Sequence, residues 1–302
     1  MRPGHSLCRF PPSGSFEMTF DVLAAKQNPD GGWPYIRGVS WTEPTVYSIL
    51  AMLAAGAQES AARGIGWLRR MARSDGGFSP QAGVVDSTWV TALVALLPPE
   101  ELGVPTHEGA IQWLLRTTGN ESTKLYRLRQ WLLGATRPAD QKFAGWPWTQ
   151  GAAAWVGPTS LAILALDKES RRKPSAEISR RIAEGRQFLM TRCCHEGGWN
   201  HGAAEALGYA AGPYPETTGM ALAALRGVDG PEVRRAIAAA QGFLADSRSA
   251  DAINWLGLGL LAHGGMPADY CRPAGVACRT LPETSLAMLM AEVQKGRDVL
   301  WG

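Results

Sequence analysis

Gly31-Gly32-Trp33, a short loop, then Glu43-Pro44-Thr45 opening VYSILAML: this phrase decides the fold, because the chain repeats it. It returns as Gly76-Gly77-Phe78 with Asp86-Ser87-Thr88 before WVTALVALL, and as Gly145-Trp146 with Gly157-Pro158-Thr159 before SLAILAL. A fourth copy is Gly197-Gly198-Trp199 with Glu216-Thr217-Thr218 before GMALAAL. A degenerate copy stands at Asp251 to Leu261, and a half-copy is Glu283-Thr284-Ser285 before LAMLM. A spacing of roughly 40 to 70 residues that alternates two helices marks a helical repeat array.

Two kinds of helical segment alternate. Residues 61–73, 106–116, 177–192 and 231–245 are Arg-rich, with apolar residues at three- and four-residue spacings. Residues 44–55, 87–97, 158–166, 217–225, 253–262 and 284–291 are Ala/Leu/Thr-rich, with almost no charge after the first residue. A helix apolar all round is buried on every side. The pattern therefore predicts an all-α fold, an α/α toroid of about six hairpins with an inner apolar and an outer amphipathic layer. Inner helices should begin near 43, 86, 157, 216 and 283, with their positive dipole ends at one mouth. Pro44 and Pro158 should occupy first helical positions, leaving Glu43 as a cap. Residues 122–135 read as a spare helix, and the last pair lacks an outer helix.

Residues 1–15 read as an irregular extension and residues 16–302 as one toroid domain. The hydrophobic share of 45% is ordinary for a globular chain. A net charge of +3 without long basic runs argues against nucleic acid as a partner. Five cysteines, two of them adjacent, imply no disulfide framework and fit a reduced cytoplasm. No signal-peptide core and no apolar stretch of about 18 residues are present, so the expectation is a cytoplasmic protein, with peripheral membrane contact left open.

The string Gln27-Asn28-Pro29-Asp30-Gly31-Gly32-Trp33 resembles the Gln-Trp repeat of the triterpene cyclases, the squalene–hopene and oxidosqualene cyclase family. Glu216 to Leu225 resembles the family's helix that begins at its catalytic acid. The resemblance covers roughly residues 17–292 and implies the toroid, which protein prenyltransferase β-subunits share. Two departures matter. The family's Asp-x-Asp-Asp is here Tyr214-Pro215-Glu216-Thr217, which keeps one carboxylate of three, and 302 residues supply one toroid where the cyclases have two. No Asp-Asp-x-x-Asp exists to hold the clustered Mg²⁺ of diphosphate ionisation.

Glu43, Asp86, Glu216 and Glu283 hold one repeat position, with Gly157 in a fifth copy, and are the candidate catalytic carboxylates. Acids there also complement the helix dipole, which alone explains many of them. Several carboxylates around a partly apolar mouth raise one another's pKa, so one stays protonated near neutrality. Such a group suits an oxygenated substrate better than a plain alkene. Glu216 is the expected general acid, with Glu43 and Asp86 as partners. The Gly-Gly-Trp tryptophans pack the turns, whereas Trp41, Tyr47, Trp89, Trp155, Tyr214 and Trp255 are the candidate substrate-facing aromatics.

Cys193-Cys194-His195 with His201 matches no common zinc spacing. Asp269-x-Cys271 is similar to the Asp-x-Cys metal pair of prenyltransferase β-subunits, but Glu283 stands where those have a histidine. No metal and no organic cofactor are expected. The expected activity is acid-initiated cyclisation or isomerisation of an isoprenoid or other apolar, oxygenated small molecule. The alternatives are a non-catalytic lipid- or partner-binding toroid with salt-bridged or solvated carboxylates, a prenyltransferase-like subunit, or a carbohydrate-active α/α barrel with a carboxylate pair.

Overall fold

The computed structural model describes residues 14–133, 142–203, 205–206, 209–267, 270–273 and 275–302. In chain order the helices are α1 (Gly14–Ala25), α2 (Thr42–Ala55), α3 (Gln58–Met71), α4 (Val90–Val94), α5 (Pro99–Leu102), α6 (Val104–Arg116), α7 (Lys124–Leu132), α8 (Val156–Arg172), α9 (Ala176–Met190), α10 (Pro215–Ala224), α11 (Pro231–Asp246), α12 (Ala250–Ala262) and α13 (Leu281–Gln294). A two-stranded antiparallel hairpin, Glu205–Ala206 with Tyr209–Ala210, lies between α9 and α10.

The charge-poor helices α2, α4, α8, α10, α12 and α13 pack each against the next, and α13 packs back on α2. That closes a ring of six and makes the fold an α/α toroid. The amphipathic helices α3, α6, α9 and α11 lie outside, against α2, α4, α8 and the α10–α12 pair. The outer slot missing from the last hairpin is filled by α1, which packs on both α13 and α2. The degenerate copy is a full inner helix, α12.

The repeated phrase has one physical basis. In four copies the backbone N–H of the turn aromatic donates to a threonine hydroxyl in the next inner helix: Trp33 to Thr45, Phe78 to Thr91, Trp146 to Thr159 and Trp199 to Thr218, at 2.8 to 3.0 Å. The indoles of Trp33, Trp146 and Trp199 donate to the carbonyls of Leu23, Leu114 and Leu189, tying each turn to the end of the preceding outer helix. The first glycine of each pair is required twice over. Gly31, Gly76 and Gly197 have φ of 96°, 80° and 91°, and a Cβ would fall 2.5 to 2.7 Å from a carbonyl of the following outer helix.

Four of the six inner helix starts are bonded to the loop that leads to the next one. Thr42 N donates to Pro80 O, Trp89 N to Trp148 O, Val156 N to His201 O, and Leu281 N to Tyr35 O. The inner N-termini therefore share one face. Aligning copies by their bonded threonines corrects the register of the second repeat. Thr91, not Thr88, matches Thr45, α4 starts at Val90 rather than near 86, and Trp89 stands where the other copies have Glu43, Gly157 and Glu216. Asp86 lies in the preceding loop, exposed.

The spare helix is α7, on the surface between α6 and α8, with Leu125, Leu128, Trp131, Leu132 and Leu133 exposed beside it and on it. α1 begins at Gly14, inside the expected 1–15 extension, and residues 1–13 lie outside the described residues.

Candidate active site

Four of the six inner helices bring a carboxylate to the shared mouth. Trp41, not Glu43, is the N-cap of α2, so Glu43 is the second residue of its helix, as are Glu216 in α10 behind Pro215 and Asp251 in α12. Glu283 is the third residue of α13. In the order of the ring, α10, α12, α13 and α2 are consecutive, so the acids form one continuous arc. The opposite arc, α4 and α8, carries Trp89 at the equivalent place and Gly157 beside Trp148. Those indoles meet edge to face with centroids 4.9 Å apart.

Glycines set the spacing of the acidic arc. A Cβ on Gly219 would sit 2.2 Å from the Trp255 backbone, and one on Gly259 would sit 2.5 Å from the Gly219 carbonyl. The α10 and α12 backbones therefore touch, which draws Glu216 and Asp251 together one turn above. Burial, then the charges of Glu216, Glu43 and Glu283, push the Asp251 carboxyl up to about 7. Among the described residues neither Glu216 nor Asp251 has a hydrogen-bond or ion-pair partner.

Glu43 is different, because its Oε2 accepts a short hydrogen bond from the Tyr35 phenol. Burial raises the Glu43 carboxyl and the Tyr35 bond holds it back. Tyr35 in turn is raised by burial and by Glu43, so it stays a donor. Glu283 has a structural task. Its carboxylate accepts from Thr280 N, while the Thr280 hydroxyl accepts from Glu283 N, a capping box at the start of α13.

One turn below the acids, Tyr47 on α2 and Trp255 on α12 meet edge to face at 6.3 Å, both almost fully buried. The other candidate aromatics sit higher. Trp41 packs on Tyr35 at 5.5 Å, Tyr214 lies against His201 at 5.1 Å, and both Trp155 and Tyr214 are exposed at the rim. Thr217 is a backbone clamp whose hydroxyl donates to the Trp199 carbonyl at 2.6 Å.

Sequence reasoning missed Asp251, Tyr35 and Trp148. Asp251 carried a usable signal: it follows Ser249, a good N-cap, and opens the apolar run DAINWLGLGLL. Tyr35 and Trp148 carry none beyond lying two residues after a turn tryptophan. Asp86 does not join the arc. Burial raises the Cys193 and Cys194 thiols, as expected of inert structural cysteines. No group of three His, Cys, Asp or Glu is arranged around a cation site among the described residues, and Asp269 lies outside them.

No protein-family model matches the chain. No curated protein matches it. Solved structures do share its fold. An endo-β-1,4-glucanase from Acetobacter xylinum is 12% identical, with a TM-score of 0.60 over 92% of this chain and 97% of its own. A GH8 endo-β-1,4-glucanase from an Achatina fulica gut metagenomic library is 13% identical, at 0.60 over 95% and 100%. A type II terpene cyclase from Scytonema, in complex with geranylgeranyl dihydroxybenzoate, is 16% identical, at 0.54 over 96% and 84%. At these identities the likeness establishes the α/α toroid.

Proposed function

We propose that the protein is an enzyme of the terpene-cyclase type, acting by acid-initiated cyclisation or isomerisation on an apolar, oxygen-bearing small molecule such as an isoprenoid. The observation that carries this is a mouth divided in two: a carboxylate arc holding a carboxyl that titrates at about 7, facing an aromatic arc, above the Tyr47–Trp255 pair. Asp251 supplies the proton to the substrate oxygen. A carbon–oxygen bond breaks with its electron pair on oxygen, and the substrate's own double bond attacks the cation left on carbon, forming a carbon–carbon bond and moving the positive charge to the far alkene carbon. The aromatic faces stabilise that cation by about 0.5–2 kcal/mol each when desolvated. A proton on the neighbouring carbon then passes to a carboxylate oxygen of the arc, on Glu43 or Glu216, which neutralises the cation and leaves an alkene. Glu216, the acid expected from sequence, is here the neighbour whose charge keeps the proton on Asp251.

The acids Glu216 and Asp251 are half-buried and unpaired, so the non-catalytic toroid, which expects salt-bridged or solvated carboxylates, keeps only its solvated form. Glycoside hydrolysis is a second reading, favoured by unpaired carboxylates beneath the exposed rim aromatics Trp155 and Tyr214. Likeness to both a terpene cyclase and two glucanases is compatible with either. Incubation with C15 and C20 prenyl alcohols and epoxides, followed by mass spectrometry of extracted products, tests the first. Reducing-sugar release from soluble cellulose derivatives tests the second. Cyclised or isomerised prenoid lost in Asp251→Asn supports the proposal, and sugar release without it would transfer the site to the glycosidases.

No helix among the described residues is long and apolar enough to cross a membrane. A peripheral contact has a natural seat on α7, whose exposed leucines and Trp131 adjoin Lys124 and Arg129. Co-sedimentation with anionic vesicles, reduced in Trp131→Ser, is the expected result.

A further inference from the structure

Tyr47 is a polar side chain buried where its polarity has no use within the protein. It follows Glu43 by four residues on α2, so it lies one turn deeper on the same face, and only 2% of its surface is accessible. Its ring is accounted for by Trp255. Its hydroxyl is not, for no hydrogen-bond partner meets it among the described residues. Unlike the Tyr270 hydroxyl, which is sealed off without a partner, the Tyr47 oxygen keeps part of the little surface that the residue exposes, so an unbonded donor stays open to a ligand at the foot of the acidic arc. Burial, then the charges of Glu43 and Asp251, hold the phenol well above its ordinary range. Tyr47 is thus an O–H donor at any physiological pH. The partner it lacks is an acceptor.

The acids nearby do not fill that role in the structure: Glu43 is taken by Tyr35, and Asp251 carries no bond. Two unbonded groups, Tyr47 on α2 and Asp251 on α12, therefore lie within electrostatic reach of each other, their helices meeting through the Tyr47 and Trp255 rings. Trp255, buried on α12 one turn below Asp251, brings that helix's side chains to the Tyr47 ring. We propose that the Tyr47 hydroxyl is the receptor for a neutral oxygen of the substrate, a carbonyl, ether or alcohol, and so selects oxygen-bearing apolar ligands over hydrocarbons of the same skeleton. This rests on the reading of the toroid as a binder of apolar small molecules and adds to it a role for Tyr47 that its aromatic ring does not supply.

The probes are farnesal and β-farnesene, which share a C15 skeleton and differ in the oxygen. Binding is read by quenching of tryptophan fluorescence, with Trp255 as the adjacent reporter. Wild type should bind farnesal about tenfold more tightly than farnesene, the factor one net hydrogen bond gives. Tyr47→Phe keeps the ring and should abolish that preference while leaving farnesene affinity unchanged. A second readout needs no variant: the carbonyl stretch of ¹³C-labelled farnesal should move to lower frequency on binding wild type. A preference that survives in Tyr47→Phe, or an unshifted carbonyl, overturns the proposal and leaves the apolar-ligand reading standing. Failure of wild type to bind either probe removes that reading, and the proposal with it.

Discussion

The backbone N–H of Leu281 donates to the carbonyl of Tyr35 at 2.8 Å, so the residue that bonds Glu43 through its phenol also closes the ring through its backbone. The last inner helix is fastened to the loop ahead of the first, and the same loop sets the state of a mouth carboxylate. Closure and site chemistry share one residue.

Tyr35→Phe separates the two. The backbone bond survives and the phenol is lost, so Glu43, raised by burial, rises further. A carboxylate whose folded pKa is raised contributes stability that is complete below its unfolded pKa and is lost as pH climbs through the folded one. The variant should therefore be about 1.5–3 kcal/mol less stable at pH 8, the scale of a hydrogen bond to a charged group, and roughly half as much at pH 4. Urea unfolding at the two pH values measures this. Equal losses at both would mean that Glu43 is not ionised in the fold.

The pH profile of turnover distinguishes Asp251 from Glu216. A general acid must carry its proton, so kcat/KM should be level below about 7 and fall tenfold per unit above it. After burial, Glu216 is the first cause of that elevation. Glu216→Gln removes its charge and should move the falling limb to lower pH while retaining activity in acid. Asp86→Asn, exposed and off the arc, should change nothing beyond about twofold. A loss of 100-fold or more in Glu216→Gln at every pH, with the limb unmoved, would return the acid's role to Glu216.

The toroid was legible in the sequence because its signal is repeated: charge-poor helices must be inner, and a Gly-Gly-aromatic turn, or Gly145-Trp146 in the third copy, precedes four of the six. The register of the second copy was not. Asp86-Ser87-Thr88 imitates Glu43-Pro44-Thr45 letter by letter, but the threonine that bonds the turn is Thr91, and spacing alone does not reveal which hydroxyl meets an N–H. Glu43, Glu216 and Glu283 were legible as acids at helix starts. That Glu283 is spent on a capping box follows from Thr280 three residues before it, a pattern visible in hindsight. Asp251 was hidden by the loss of the Gly-Gly-aromatic turn ahead of it, since the link from Asp246 to Ala250 is too short to hold one.

The threonine clamps give the fold a direct test. Thr218→Val keeps shape but removes the acceptor for the buried Trp199 N–H. An unsatisfied buried donor costs about 1–3 kcal/mol, and the equivalent changes at Thr45, Thr91 and Thr159 should cost about the same. Thermal or urea unfolding of the four single variants reads it. Losses within a few tenths of a kcal/mol of zero would show that the clamp does not organise the repeat.

Asp251 should show opposite effects on activity and stability. Its carboxyl stands at about 7 in the fold against 3.8 for the free group. Between those values the folded state holds a proton that the unfolded state has released. The stability this group contributes is full below 3.8 and is lost as pH rises through about 7. At pH 8 the fold carries an ionised carboxylate beside three others. Asp251→Asn removes that charge at nearly constant volume and should stabilise the protein by about 1–3 kcal/mol at pH 8, with little change at pH 4. Prenoid turnover at pH 7 should fall at least about 100-fold, because an amide has no proton to transfer. Glu283→Gln is the contrasting variant: weakening a helix cap should cost about 0.5–2 kcal/mol of stability at pH 7 and leave turnover nearly intact. If Asp251→Asn were destabilising at pH 8, its carboxylate would have a favourable partner in the fold, and neither the elevated pKa nor the proton-donor assignment would stand.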